Sequence, residues 1–418
     1  MGAPLAMAQS IAPPADKGEY LARAGNCVSC HSVAGGAAFA GGLKMGTPMG
    51  AIYTTNITPD PETGIGNYTL EDFTRAMRKG VARDGHHLYP AMPYPSYAKL
   101  SDDDIAALYT YFMKSVKPVR QANRPSDIKW PLNMRWPLAA WNAVFRPKAG
   151  YEPKADHDAV WNRGAYLIQG PGHCGACHTP RSIAWNEKAL DESGKFYVAG
   201  ANLDFWAASN LTGDTNIGLG RMSEAELAAF LKTGHNSFGI AYGSMSDVID
   251  NSTQYLTDDD LAAMAKYLKS LAPAGRDQPT PYAYDTATAD MLRGSLSNNP
   301  GAMLYQQQCA SCHVEDGKGR GLTMPPLAGN PTVLDPDAAS LINIVLNGST
   351  RLMVQGNPDT YRMPQLRAQM SDEQIADVIS FVRSAWGNNA PAITAKQVAE
   401  VRRRTDPASD EVVLLRMR

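Results

Sequence analysis

Cys27-Val28-Ser29-Cys30-His31, Cys174-Gly175-Ala176-Cys177-His178 and Cys309-Ala310-Ser311-Cys312-His313 share one spacing, and together they use all 6 cysteines of the chain. Two cysteines three positions apart lie on one side of a single helical turn. The pairs are more than a hundred residues apart, whereas the halves of a four-cysteine zinc site are commonly roughly 15–20 residues apart. A thioredoxin-like redox pair accounts for one such motif but not for a histidine after each of three. Structural disulfides require no histidine at all.

The pattern is that of covalent haem attachment. Two thiols so placed can add to the two vinyl groups of one porphyrin as thioethers. The histidine that follows sits beneath the ring and offers its imidazole to the iron. The sequence therefore predicts three covalently bound haem c groups, on Cys27 and Cys30, on Cys174 and Cys177, and on Cys309 and Cys312, with His31, His178 and His313 as proximal iron ligands.

A haem held by His and Met carries electrons at a raised potential, whereas an open iron position binds a gas or a substrate. Each segment offers a methionine at a similar place. Met92 in Ala91-Met92-Pro93-Tyr94 follows His31 by 61 residues, Met245 in Gly243-Ser244-Met245-Ser246 follows His178 by 67, and Met363 in Arg362-Met363-Pro364 follows His313 by 50. After each comes the start of an apolar helix, at Ser101-Asp102-Asp103-Asp104, Thr257-Asp258-Asp259-Asp260 and Ser371-Asp372-Glu373-Gln374, and all three starts have the form of a capping box. The chain has 18 methionines, and methionine is commonly core filler; the shared position before a closing helix selects these three. Met324, His86 and His87 are the rival ligands, His173 and His235 read as structural, and His157 reads as a linker residue.

The segments repeat. Residues Asn56 to Gly80 align without gaps on Asn210 to Gly234, with Asn56/Asn210, Thr58/Thr212, Asp60/Asp214, Gly64/Gly218, Gly66/Gly220 and Gly80/Gly234 identical. Each stretch contains a helix start, Thr69 to Asp72 and Ser223 to Glu226, and each helix stops at its glycine. Gly18, Gly164 and Gly301 open a helix that runs into the cysteine motif. Tyr111, Tyr267 and Phe381 stand at matching points of the closing helices, where a small residue against an aromatic would close each unit. Each unit reads as helix, haem motif, long loop, helix, methionine loop and closing helix, with few strands because little alternates with period two. The expected fold is all-α: three tandem cytochrome c domains, loop-rich and joined by extended linkers.

The expected boundaries are a leader remnant over 1–14, domains over 15–120, 156–275 and 296–390, an aromatic-rich linker over 121–155, a second linker over 276–295 and a tail over 391–418. The length of 418 residues agrees with three domains at roughly 150 residues each. The first linker holds Trp130, Trp136 and Trp141, three of the 7 tryptophans. It reads either as a strap packed on the domains or as an aromatic contact surface for a partner or a membrane interface. Gly170-Pro171-Gly172-His173-Cys174-Gly175 matches a dinucleotide fingerprint by chance, because no βαβ unit surrounds it. The aspartates 102–104 and 258–260 read as helix-dipole partners, and Arg402-Arg403-Arg404 reads as a solvated helix face.

Composition excludes several classes. With 39 Lys+Arg against 41 Asp+Glu and a formal net charge of -2, the chain is no polycation for nucleic acid. No apolar run reaches the roughly 20 residues of a spanning helix. Covalent haem attachment takes place outside the bacterial cytoplasm, and Ala6-Met7-Ala8 before Gln9 has the form of a leader cleavage site. The expected location is periplasmic and peripheral on the outer face of the cytoplasmic membrane.

The three cysteine motifs, Asn56-Ile57-Thr58-Pro59-Asp60, Tyr89-Pro90-Ala91-Met92-Pro93-Tyr94 and the stretch Trp130 to Trp136 resemble, as a set and over roughly residues 15–390, the tri-haem cytochrome c subunits of bacterial membrane-bound dehydrogenases. The resemblance implies a subunit that takes electrons from a large catalytic dehydrogenase subunit, accompanied by a small subunit, and passes them to ubiquinone. It implies no substrate chemistry on this chain, and no catalytic residue is assigned. The ending Val412 to Arg418 is similar to cytochromes paired with molybdopterin aldehyde-type enzymes rather than with quinoproteins or flavoproteins. The alternatives from other classes are a free-standing electron shuttle and a multihaem peroxidase or reductase.

Overall fold

The computed structural model describes residues 12–407 apart from 48, 204, 276–279, 295–297, 350–351 and 356. The expected cleavage site at Ala6 to Gln9 and the ending Val412 to Arg418 lie outside the described residues, as do parts of the second linker.

Three helix pairs organise the chain. Lys17–Ala24 packs on Asp102–Lys114, Ala159–Gln169 on Asp258–Lys269, and Pro300–Gln308 on Asp372–Ser384. The opening helices start where Asp16, Asp158 and Asn299 accept hydrogen bonds from the backbone N–H groups of Glu19, Trp161 and Ala302, which satisfies donors that a helix cannot pair internally. The pairs cross at their glycines. A Cβ on Gly18 would lie 2.3 Å from the Ala107 carbonyl oxygen and 2.5 Å from Tyr111 Cβ. On Gly164 it would lie 2.0 Å from the Ala263 oxygen and 3.0 Å from Tyr267 Cβ, and on Gly301 2.3 Å from the Asp377 oxygen and 2.7 Å from Phe381 Cβ. Only glycine allows these backbones so close, and the expected glycine–aromatic contact is present in all three pairs.

Each pair anchors its own apolar cluster. Leu21, Phe73, Leu100, Ile105 and Phe112 form the first; Trp161, Leu167, Leu227, Leu261 and Tyr267 the second; Tyr305, Ile342, Ile375, Phe381 and Trp386 the third. The middle helices Leu70–Lys79 and Glu224–Thr233 begin in full capping boxes and end at Gly80 and Gly234 in left-handed conformation, as the repeat requires. Strands among the described residues are confined to four two-stranded antiparallel ribbons of two to four residues a strand.

Two stretches carry more structure than their sequence promised. The second linker contains the helix Ala287–Gly294, whose Ala289 and Leu292 join the third cluster. The tail contains Ala395–Arg404, which puts Val398 and Val401 into the same cluster. Arg402 is not a solvated side chain: it donates to Asp372 Oδ1 at 2.6 Å and to the Arg367 and Met370 carbonyls.

The first two units meet through a reciprocal contact. Tyr20 of the first opening helix donates its hydroxyl to Asp260 Oδ2 of the second closing helix at 2.5 Å. Tyr166 of the second opening helix donates to Asp104 of the first closing helix. Each aspartate also meets a cation from its own opening helix: Lys17 Nζ lies 2.6 Å from Asp104, and Arg163 is bidentate to Asp260 at 2.7 and 2.8 Å. The same surface is thus used twice with its roles exchanged, as in a two-fold dimer. It also corrects the capping expectation. Ser101 and Thr257 accept from the N–H groups of Asp104 and Asp260, but the carboxylates turn outward to the neighbouring unit instead of back to the cap; of the three closing helices, Asp372–Ser384 alone begins in a full box, at Ser371 and Gln374.

Candidate haem-attachment sites

In each motif the cysteines occupy one short turn, Cys27–Cys30, Gly175–His178 or Ala310–His313 with its flanking cysteine, directly after the opening helix. All six are half-buried. As thiols, Cys27, Cys174 and Cys309 are pushed up to about 12 by burial. A reactive redox pair needs the opposite shift, whereas a neutral thioether suits these surroundings. Among the described residues no group of three His, Cys, Asp or Glu side chains is arranged to hold a metal ion.

The three histidines are oriented by one device. His31 Nδ1 lies 2.7 Å from the Thr55 carbonyl oxygen, His178 Nδ1 2.7 Å from that of Ser209, and His313 Nδ1 3.1 Å from that of Pro325. With Nδ1–H donated to a carbonyl, the tautomer is fixed and Nε2 keeps its lone pair for a metal. Burial lowers the pKa of all three imidazoles, which keeps them neutral. This donor set fits a haem iron.

A glycine closes each device. Gly41, Gly200 and Gly319 donate their N–H groups to the His31, His178 and His313 carbonyls at 2.7, 2.8 and 3.2 Å, all with positive φ. A Cβ on Gly41 would lie 2.6 Å from the Thr55 oxygen, and one on Gly319 2.6 Å from the Pro325 oxygen, the atoms that receive the histidines. In the first two units a ribbon returns the chain from this glycine to the accepting carbonyl, Lys44–Thr47 with Gly50–Tyr53 and Ala201–Leu203 with Trp206–Ala208. In the third, a single bridge between Arg320 and Met324 does so. Asn56 and Asn210, the residues after Thr55 and Ser209, fix the chain beyond by accepting from the N–H groups of Thr58 and Thr212 at 2.9 and 2.8 Å. The sequence pointed to these asparagines as repeat markers. It gave no signal for the carbonyls, which are backbone atoms.

The methionines take three settings. Met92 is half-buried against the first cluster. Met245 contacts the second cluster and the small cluster of Ala241, Ile249 and Leu352; it lies in the first turn of the helix Ser244–Asn251 rather than in a loop. Met363 is half-buried, its N–H bonded to Ser349 Oγ at 2.9 Å. Met324 accepts from the Arg320 N–H through its carbonyl.

The other five histidines have structural partners. His86 bonds Asp84, His87 lies 3.2 Å from the Asn142 amide, His235 pairs with Asp359, and His157 stacks on Trp161 at 3.7 Å. His173 Nε2 lies 3.2 Å from the Gly25 carbonyl. The residue before Cys174 is thereby tied to the segment that leads into Cys27, and the first two attachment sites abut.

One group beside the second site had no sequence signal. Glu187 is buried, with Oε2 2.6 Å from where a Cβ on Gly175 would stand. Burial pushes its carboxyl up to about 7, against the opposing pull of Arg181 and Lys99. Arg181 in turn donates to the Ala176 carbonyl inside the motif at 2.7 Å.

Comparison with known proteins agrees with this geometry. The cytochrome c family model matches residues 15–117 and 299–386. The chain is 51% identical over 393 residues to the gluconate 2-dehydrogenase cytochrome c subunit of Pantoea cypripedii, covering 93% of this chain and 89% of that one. It is 47% identical over 398 residues to the cytochrome c subunit of the quinone alcohol dehydrogenase of Gluconacetobacter polyoxogenes, covering 94% and 85%. It is 38% identical over 414 residues to the fructose dehydrogenase cytochrome subunit of Gluconobacter japonicus, covering 93% and 83%. With covalent haem chemistry in its motifs and these relatives along nearly its whole length, the chain belongs to the family of electron-transferring cytochrome c subunits of bacterial membrane-bound dehydrogenases.

Proposed function

We propose that this chain holds three haem c groups in three tandem cytochrome c domains and links a catalytic dehydrogenase subunit to ubiquinone on the periplasmic face of the cytoplasmic membrane. The proposed domains are 15–120, 156–275 and 296–390. When bound, each haem supplies a one-electron Fe(III)/Fe(II) couple. His31, His178 and His313 would hold the iron, each oriented by its carbonyl partner. Met92, Met245 and Met363 would be the second ligands and would exclude small exogenous ligands. The cysteines fix each ring covalently, and the three apolar clusters keep water from it.

The relatives are named for gluconate, alcohol and fructose, all of which present a hydroxyl to be oxidised. The catalytic partner proposed here therefore converts a C–OH group to a carbonyl, releasing two protons and two electrons. The chain accepts those electrons singly and delivers two of them, with two protons, to ubiquinone as ubiquinol. The molybdopterin aldehyde type of partner rests on residues 412–418, outside the described residues, and is supported less.

The threefold recurrence of the glycine–histidine–carbonyl device carries this reading. Three supports of one kind for an imidazole Nε2 fit three electron carriers of one kind better than one catalytic iron among two carriers. The test is the native complex purified with its large subunit. Removing this chain should abolish substrate-dependent ubiquinone reduction while leaving reduction of a soluble dye by the catalytic subunit intact. Ubiquinone reduction that persists without this chain would refute the proposal.

A further inference from the structure

The helix Pro137–Phe145 in the tryptophan-rich linker is built inside out. Its polar bonds point inward: Asn142 is buried, accepting from the Tyr94 hydroxyl at 2.7 Å and donating to the Lys79 carbonyl at 3.0 Å, and Trp141 Nε1 donates to the Ala184 carbonyl at 2.8 Å. Its exposed positions are Pro137, Ala139, Ala140, Ala143 and Val144, with no polar side chain among them. Water-facing helices ordinarily carry the reverse pattern.

The surroundings extend this apolar face. Trp130 is 78%, Leu132 56%, Trp136 72% and Val144 72% exposed. The loop that Trp141 grips adds Ile183, fully exposed, and Trp185 at 46%. Isolated exposed apolar residues need no explanation, but a cluster of this kind marks a contact surface. Among the described residues the indole N–H groups of Trp130 and Trp136 have no partner, so each ring offers an apolar body and a polar edge. That combination belongs at a membrane–water interface.

Charge selects among occupants. From Ile128 to Tyr151 there are four basic residues, Lys129, Arg135, Arg146 and Lys148, and no acidic one. Lys129 and Lys148 are exposed at the rim, where long stems let the ammonium groups reach out while the apolar face is covered. A specific protein interface of standard size carries about ten hydrogen bonds, and this helix face offers no side-chain group to make them. Lipid headgroups require none in register, and anionic ones attract the rim.

We propose that the face formed by Trp130, Leu132, Trp136, Val144, Ile183 and Trp185 docks on a bilayer bearing anionic phospholipids, with Lys129 and Lys148 at the headgroups. No helix among the described residues is long and apolar enough to cross a membrane, so the contact lies in the interface plane. This deepens the membrane association contained in the proposed function and names the surface that makes it. The loop carrying Ile183 and Trp185 begins directly after the second haem motif, so docking holds that site beside the phase in which quinone dissolves.

The test is co-sedimentation of the haem-loaded full chain with vesicles of phosphatidylcholine alone and of phosphatidylcholine with phosphatidylglycerol. The chain should favour the anionic vesicles and release as salt is raised. Lys129→Gln with Lys148→Gln should lower anionic-vesicle binding by about fivefold for each lysine removed. Trp130→Ser, Trp136→Ser and Val144→Ser combined should lower binding to both vesicles by at least about tenfold, since each change deletes exposed apolar area. These positions are exposed, and retained haem absorbance and reducibility by ascorbate will show that each variant is folded and loaded. Equal binding by the triple variant and the parent would overturn the proposal, as would failure of the parent to bind either vesicle. A triple variant that keeps vesicle binding but loses its co-purifying large subunit would assign the face to a protein partner and overturn it too. Ascorbate reducibility tests the electron-carrier reading separately, so the two can fail independently.

Discussion

His31 donates Nδ1–H to the carbonyl of Thr55 at 2.7 Å, and Gly41 sits between them, bonded to the His31 carbonyl at 2.7 Å. Gly41 has a φ of 75°, a conformation available to glycine at no steric cost. Gly41→Ala should therefore push the Thr55 carbonyl away and cost about 1–3 kcal/mol of stability, measured by denaturant unfolding of the loaded protein. Loss of the hydrogen bond makes the imidazole a weaker donor to iron. The midpoint potential of the haem on Cys27 and Cys30 should rise, because the ferric state is stabilised less.

At the helix crossings the obstacle is backbone that cannot rotate away. A Cβ on Gly164 would meet the Ala263 carbonyl oxygen at 2.0 Å. Gly164→Ala should lower stability by about 1–3 kcal/mol as an overpacking change, seen as a lower thermal midpoint. Gly85→Ala serves as the comparison: nothing lies within 4 Å of its Cβ position, and with a φ of 90° only the backbone penalty applies.

Tyr20 and Tyr166 hold the first two units together by donating to carboxylates that are already ion-paired. Hydrogen bonds to charged groups contribute about 1.5–3 kcal/mol each. Tyr20→Phe with Tyr166→Phe should uncouple the units, splitting a shared calorimetric transition in two and opening the intervening linker to proteolysis. A single unsplit transition would show that other contacts across the two units, such as His173 on the Gly25 carbonyl and Lys99 on Gln169, hold the interface without these two hydrogen bonds.

Glu187 gives a pH dependence with a definite sign. Burial raises its carboxyl from 4.5 to about 7, so the folded chain holds this proton more tightly than the unfolded chain does. The associated stability is complete below the unfolded value and is lost as pH rises through about 7. Glu187→Gln should match the parent near pH 4.5 and exceed it above neutrality by an amount on the order of 3 kcal/mol. Urea midpoints of the two proteins across this range check the prediction, and parallel curves would contradict it.

Much of this architecture was legible in the sequence because it depends on side-chain identity at fixed spacing. The three cysteine motifs, the glycine opposite an aromatic at each helix crossing, and the caps at Thr69 and Ser223 are of this kind. The hidden parts depend on backbone atoms and on tertiary competition. Thr55, Ser209 and Pro325 act through carbonyls that every residue possesses. Asp104 and Asp260 have the spacing of capping residues, yet a tyrosine from the neighbouring unit claims each carboxylate. The helix Pro137–Phe145 has no sequence periodicity to show that its polar bonds turn inward, and the burial of Glu187 follows from chain paths that local pattern does not contain.

The central claim is that three irons are each closed by a histidine and a methionine. Carbon monoxide binding to the ferrous native protein at neutral pH tests it most directly, together with Met92→Ala, Met245→Ala and Met363→Ala. The account predicts negligible binding to the parent and one newly reactive haem in each variant. Stoichiometric binding to any haem of the parent, or a variant that gains no reactive haem, would contradict it.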